Sequence, residues 1–318
     1  MEIRGNNVNG VLAGALEYMK SEGMRRNSRL GPVLVAPEPV TLTYFMPRQR
    51  VLFWGARDAN PYFHLMEAIW MVYGNNDVHW PQFFNKRFRE YSDDGETLRG
   101  AYGWRWRWHF GVDQIGAVVD ILRADPDSRR AVITMFDPNV DLKPGRDIPC
   151  NVAVYFSVNN GALNMTVVNR SNDLIWGACG ANAVHFSVLQ EFIATALGLV
   201  VGRYTQFTNN LHIYEQHWWM LDHIHCDDRY AAGTAKVADV PLFEVSQRQW
   251  VIDAGNMLRH QTDSRAFVES WFRRVALPMY LSWVHRKNGG SDGRAELYEM
   301  PANTDWHIAC AEWLERRT

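Results

Sequence analysis

The chain has 318 residues, and its 33 basic and 35 acidic side chains leave a formal charge of −2. That balance argues against a protein held to nucleic acid by phosphate contacts alone, which is expected to be strongly basic. With 47% hydrophobic and 21% charged residues the composition is globular, and Phe192–Val201, the longest nearly apolar stretch, is far short of the roughly 20 residues of a membrane span.

In chain order, Met1-Glu2-Ile3-Arg4-Gly5 lacks the basic-then-apolar layout of a secretory signal. Val8, Leu12, Ala15 and Met19 recur at helical spacing and predict an opening amphipathic helix. Phe63 to Val72 is apolar apart from His64 and Glu67 and predicts a buried helix. Ala131 to Phe136 is a β-rich run, and Val152, Val154, Phe156 and Val158 alternate as a strand does. Asn159-Asn160-Gly161 supplies turn chemistry, so Leu163 to Val168 is expected to return as the hairpin partner. From Phe186, Leu189, Ile193 and Leu197 predict a further long helix. Helices and strands mix without a regular βαβ alternation, so the expected class is α+β around a mainly antiparallel or mixed sheet. Asn288 to Gly293 is expected to be a surface loop, and nothing in the composition divides the chain, so residues 1–318 are taken as one domain. Cys150, Cys179, Cys226 and Cys310 lie far apart with no CxxC pair, which predicts free thiols in a reducing, cytoplasmic setting.

Four features carry chemistry. Cys150 is a small buried hydrophobe or a nucleophile. The predicted hairpin returns Arg170 towards it, and a neighbouring guanidinium is expected to lower the thiol pKa. Asp127-Ser128-Arg129-Arg130 is a solvated basic pair or a phosphate site. His212 and Tyr214, two apart, share one face of a strand and are a core pair or a sugar-hydroxyl site. Glu67, odd in so apolar a helix, is a carboxylate with a buried partner or a desolvated acid–base group.

Taken together, Pro149-Cys150, Arg170-Ser171-Asn172-Asp173, Gly177, Asn182, His212 and Tyr214 resemble thymidylate synthase, as does Pro126-Asp127-Ser128-Arg129-Arg130. The resemblance runs from about Arg29 to Tyr214, leaving the part after about residue 225 divergent. It implies a large mixed β-sheet packed with helices, and a homodimer formed through that sheet. It also implies that Cys150 adds to C6 of a pyrimidine deoxynucleotide monophosphate, with 5,10-methylenetetrahydrofolate as co-substrate. Arg29, Arg170 and Ser171 match phosphate-side residues, and Arg129 and Arg130 match a pair donated across the dimer. Glu67 matches a glutamate that organises water and proton transfer, and Tyr102 an active-site tyrosine. His212 and Tyr214 match the pair on the sugar 3′-hydroxyl, Asp173 the carboxylate on the folate pterin, and Gly177 its neighbour on the cofactor side.

Departures from the pattern bear on the product. Asn151 stands where histidine usually follows the nucleophile, and Asn169 where glutamine precedes the arginine. Phe88 and Tyr91 fall where two tryptophans are expected near the reacting carbon. Gly177-Ala178-Cys179-Gly180-Ala181-Asn182 is one residue longer than its counterpart, and Trp313 to Thr318 lacks a short apolar tail. These changes cluster where water is excluded before hydride transfer, so a hydroxymethylase acting on dUMP for modified phage DNA is expected. A divergent thymidylate synthase and a dCMP hydroxymethylase are the alternatives, with Asn182 favouring uracil. Trp104-Arg105-Trp106-Arg107-Trp108 is expected to be buried tryptophans with paired arginines, the alternative being a nucleic-acid platform in an inactive relative. His217, Asp222, His223 and His225 match no ligand spacing, so no metal is expected.

Overall fold

The computed structural model describes residues 1–225, 227–289 and 291–317; the readings placed on Cys226, Gly290 and Thr318 lie outside them. Asn7 opens α1 (Val8–Glu22), its side chain accepting from the amides of Asn9 and Gly10. The helix buries Val8, Leu12, Ala15 and Met19 as their spacing predicts. The second helix, α2 (Pro61–Tyr73), starts on a proline at its first turn, is capped by Asn60, and stops at the left-handed Gly74.

Among the described residues, ten strands form two sheets. They are β1 (Glu2–Gly5), β2 (Met24–Ser28), β3 (Gly31–Val35), β4 (Val40–Tyr44), β5 (Val132–Thr134), β6 (Asn151–Asn159), β7 (Ala162–Asn169), β8 (Asn172–Asp173), β9 (Val200–Thr208) and β10 (Leu211–Tyr214). The larger sheet has the order β1-β4-β9-β7-β6-β5 and the smaller β2-β3-β10-β8. Both are mixed: β7 and β9 run parallel, as do β8 and β10, while β6 and β7 form an antiparallel hairpin. Asn160 and Gly161, with φ of 51° and 74°, make the hairpin turn that the sequence predicts. The β-rich run at 131–136 narrows to the three residues of β5, because Met135 and Phe136 leave the ladder towards the carbonyl of Val152.

One face of the larger sheet packs on the Asn182–Leu197 helix and buries Leu163, Met165, Val167 and Tyr204. The opposite face carries Val132, Tyr155 and Phe207, all exposed. The Asn182–Leu197 helix in turn packs on α2. Three C-terminal helices, Gln247–Leu258, Leu277–Lys287 and Asp305–Glu315, cover the remaining sides of α2. A helix walled in on every side must be apolar all round, which is why only His64 and Glu67 interrupt it.

In the Trp104–Trp108 run the arginines are paired as expected, Arg105 with Asp141 at 2.8 Å and Arg107 with Asp113 at 2.6 Å, but of the tryptophans only Trp106 is buried; Trp104 is partly covered and Trp108 is half exposed.

Candidate active site

The hairpin brings its two ends together at a bulge. Asn151 pairs with Asn169 but Ala153 with Val168, so the register slips there. Just beyond, the Arg170 amide donates to the Cys150 carbonyl at 3.0 Å. The Arg170 guanidinium folds back, Nε donating to the Pro149 carbonyl at 2.9 Å and Nη2 to that of Ile148 at 3.0 Å. The cation is therefore clamped onto the backbone that presents the thiol. The two unusual asparagines flanking this junction complete one another: Asn151 Nδ2 donates to Asn169 Oδ1, and Asn169 Nδ2 donates to Thr208 Oγ1 at 3.1 Å.

The expected lowering of the Cys150 pKa is not met. Burial is the largest influence and pushes the thiol up; Arg170 and, more weakly, Arg29 pull it down, while Asp147 and Asp173 oppose them. An arginine two residues from a bulge is legible in sequence, but the desolvation around the sulfur is not. Tyr102 reaches the Cys150 backbone through its phenol, which burial keeps neutral far above the ordinary tyrosine range. Asp147 accepts from the Gly100 amide at 2.7 Å, and burial pushes its carboxyl up to about 6.

In front of this junction lies a cleft of about 460 Å³ lined by Arg26, Arg29, Ser171, Asn210, His212 and Tyr214. Arg29 sits at the tip of the β2–β3 hairpin, whose last pair is Ser28 with Gly31, and its Nη1 donates to the Gly145 carbonyl at 3.3 Å. His212 and Tyr214 share a face of β10, their rings 5.1 Å apart and perpendicular. Arg129 and Arg130 do not join them. Both are exposed at the start of β5, where the Ala131 carbonyl meets the Phe156 amide. Cys150 is six residues further along β6, roughly 20 Å at the rise of a strand.

On the other side of Cys150, Asp173 caps the segment Leu174–Ala181. Its Oδ1 accepts from the amides of Ile175 at 2.6 Å and Trp176 at 3.0 Å, while Oδ2 is buried without a partner. Burial raises its pKa, with His212 and His217 pulling the other way. Trp176 is half exposed, its indole donating to His217 Nε2 at 2.6 Å, and the Arg57 guanidinium lies 4.0 Å from its ring centre. Phe88 points away into the core, 5.8 Å from Phe63 and 6.2 Å from Trp70, while Tyr91, half exposed, meets its edge. The C-terminal helix ends nearby, with Arg316 and Arg317 both bonded to Asp58, next to Arg57.

The extra residue between Gly177 and Asn182 is absorbed locally. Leu174–Ala181 winds as a π-helix with a break at Gly180, after which the Asn182–Leu197 helix runs regularly. Asn182 then ends a relay of amides. Gln206 Nε2 donates to the Ala178 carbonyl at 2.8 Å, Asn172 Nδ2 donates to Gln206 Oε1 at 3.0 Å, and Asn182 Nδ2 donates to Asn172 Oδ1 at 3.1 Å. Because a backbone carbonyl can only accept, every amide in the relay has one orientation. Asn182 keeps its second N–H and its Oδ1 for another partner. Gly177 makes room for this relay, since a Cβ there would stand 2.1 Å from Asn172 Oδ1.

Behind the cleft is a buried polar chamber that the sequence reading missed. Glu67 Oε2 is 2.9 Å from His185 Nε2, both side chains almost fully buried. His64, one turn before Glu67, is also buried, and desolvation with Arg57 and His185 nearby pushes its pKa down to about 3. Arg57 itself is lowered to about 10, mainly by burial. The available signal was helical spacing: His64 is three residues from Glu67, and His185 three from Asn182. Of the histidine-rich stretch after β10, His217 serves Trp176 and Asp222 pairs with Lys20 at 3.1 Å.

A family model described as thymidylate synthase matches residues 16–273. The deoxyuridylate hydroxymethyltransferase of Pseudomonas phage M6 is 44% identical over 99% of this chain and 94% of its own length. The protein of the same name from Delftia phage PhiW-14 is 29% identical over 81% of each chain. A putative thymidylate synthase of Methanosarcina barkeri is 32% identical over 50% of this chain and 76% of its own length.

Proposed function

Given that this chain belongs to the thymidylate synthase family, we propose that it converts dUMP to 5-hydroxymethyl-dUMP through a covalent Cys150–C6 adduct. The observation that carries this reading is the junction of Cys150 with Arg170, with Arg29 and Tyr214 within electrostatic reach of the thiol and both in the lining of a cleft that also holds Ser171 and His212. Near full-length similarity to the M6 protein supports the hydroxymethyl outcome and a phage setting.

Thiolate addition at C6 turns C5 into a carbon nucleophile, which splits one hard substitution into easier steps. Arg170 and Arg29 favour the thiolate against its desolvation. Arg29, Arg170 and Ser171 hold the phosphate, and His212 with Tyr214 holds the sugar hydroxyl. Asn182 offers uracil one donor for O4 and one acceptor for N3–H, and the relay to Ala178 resists the amide flip that cytosine would ask for. Tyr102 stays a neutral phenol beside the reacting sulfur, and Glu67 handles the proton lost from C5.

The one-carbon unit is supplied by 5,10-methylenetetrahydrofolate. The residues present fit it: the orphaned Asp173 Oδ2 suits the N–H donors of a pterin, and Trp176 gives a half-exposed ring beside it. Phe88, turned into the core, and Tyr91, open to solvent, leave the reacting carbon accessible to water. Arg129 and Arg130, too far from their own Cys150, fit delivery to a partner's phosphate in a homodimer. The exposed Val132, Tyr155 and Phe207 on the outer sheet face suit its interface.

The test is a reaction of purified protein with dUMP and, separately, dCMP, each with methylenetetrahydrofolate, reading nucleotide mass and dihydrofolate together. Hydroxymethyl-dUMP without dihydrofolate is expected. A methyl nucleotide with equal dihydrofolate would overturn the product, and faster turnover of dCMP would overturn the base.

A further inference from the structure

The hydroxymethyl outcome changes the proton count. When hydride finishes the reaction, one proton leaves C5 and a hydride reaches the exocyclic carbon. When water finishes it, two protons must be taken up, one from C5 and one from water. The water oxygen bonds to the exocyclic carbon, the π pair shifts onto the C4 carbonyl oxygen, and the return of that pair re-forms C5=C6 and expels the Cys150 thiolate. Tetrahydrofolate takes up two protons before water adds, at N10 as its ring opens and at N5 as it leaves, and the protons shed by C5 and by water pass through the protein to solvent to balance them. A single carboxylate has one place for a proton, so it must be emptied between the two steps.

The chamber behind the cleft contains a second place. His185 Nε2 lies 2.9 Å from Glu67 Oε2. Neither nitrogen of His185, nor Glu67 Oε2, has a well-formed hydrogen bond within the described residues, although all three atoms are buried. Buried polar atoms are ordinarily satisfied, by water where protein offers nothing. His185 also follows Asn182 by three residues, so the imidazole and the base-reading amide lie along one side of their helix.

We propose that His185 is a positioning residue for the hydration step: it takes the first proton from Glu67 and so frees the carboxylate to deprotonate water. The proposal rests on the hydroxymethyl reading and adds to it the residue that makes a second proton transfer feasible. The other titratable groups around the pair are poorly placed for this task. His64 and Glu67 come from α2, and His64 is held neutral by burial and by Arg57 and His185. Tyr102 faces Glu67 from the Tyr102–Arg107 helix, and burial keeps its phenol protonated. From β9 the Tyr204 hydroxyl donates to the Asn182 carbonyl at 3.3 Å, and from the π-helical segment Cys179 is pushed up to about 12 by burial. His185, at 2.9 Å from Glu67, is the better placed.

The experiment is single turnover with C5-tritiated dUMP, following label release and hydroxymethyl-dUMP in the same samples. In His185→Gln, label release is expected to stay within about threefold of wild type while product formation slows at least about tenfold. A parallel fall of both steps, or no change in either, overturns the proposal. Wild type supplies a reading that needs no variant to fold: in D2O, product formation is expected to slow more than label release, because hydration alone waits on an exchangeable proton passing from Glu67 to His185. Equal solvent isotope effects on the two steps overturn it. Product identity in wild type is read first, so a methyl product, which sinks the hydroxymethyl reading and this proposal together, is distinguished from a failure of the His185 role alone.

Discussion

At the mouth of the cleft, Arg26 on β2 and Arg29 at the tip of the β2–β3 hairpin stand exposed, and Tyr214 is only partly covered. Behind Cys150, Glu67, His64, His185 and Arg57 are buried between α2 and the helices that wall it in. Charges at the rim keep their water and can meet a phosphate at small desolvation cost. Charges in the chamber have lost theirs, and their protonation is decided by one another. The comparison teaches that the residues around Cys150 occupy two electrostatic environments, a hydrated rim suited to the proposed binding role and a desolvated interior suited to the proposed proton handling.

The sharpest way to break that division is to cut the amide relay. Asn172→Leu leaves Asn182 Nδ2 and Gln206 Oε1 without partners, at about 1–3 kcal/mol for each orphaned group. Chemical unfolding should show the lost stability, and the ratio of dUMP to dCMP turnover should fall by about tenfold or more; an unchanged ratio would remove the relay from base selection. His64 probes the dry side alone. Its folded pKa of about 3 lies below the ordinary histidine value of 6.5. Stability it contributes is therefore complete above pH 6.5 and is lost as the pH falls towards 3. Relative to wild type, His64→Asn should gain about 2 kcal/mol between pH 7.5 and pH 5, measured by urea unfolding at each pH. The smallest effect belongs to the rim: Arg29→Ala should raise the KM for dUMP by roughly fivefold with little change in kcat, and the gap should narrow in high salt.

The legible parts of the molecule were those governed by local rules. Asn160 and Gly161 announce a tight turn, and counting outward from it brings Arg170 to within one residue of Cys150, the bulge beside Asn151 supplying the last step to the 3.0 Å bond between them. Apolar spacing likewise found α1, α2 and the helix through Phe186 and Leu189. What escaped depended on partners distant in sequence. His185 is one of several polar residues on the Asn182–Leu197 helix, with Ser187, Gln190 and Glu191, and nothing nearby in the chain singles it out as the partner of Glu67. The desolvation that raises the Cys150 thiol comes from surrounding chain, not from its neighbours in sequence. The region after residue 225 carried no motif because covering α2 asks only for apolar surface, as in the packing of Trp283 and Trp313 on Tyr62.

The π-helical turn at Leu174–Ala181 also has an evolutionary consequence. It confines an irregular winding to Leu174–Ala181, while Phe186, Leu189 and Ile193 on the helix that follows keep their places in the core. With Asn182 as the proposed base-reading amide, gain or loss of one residue there would re-aim it without disturbing that helix. On that reading a lineage would shift which pyrimidine it takes by a small insertion or deletion, a route that leaves the hairpin carrying Cys150 untouched.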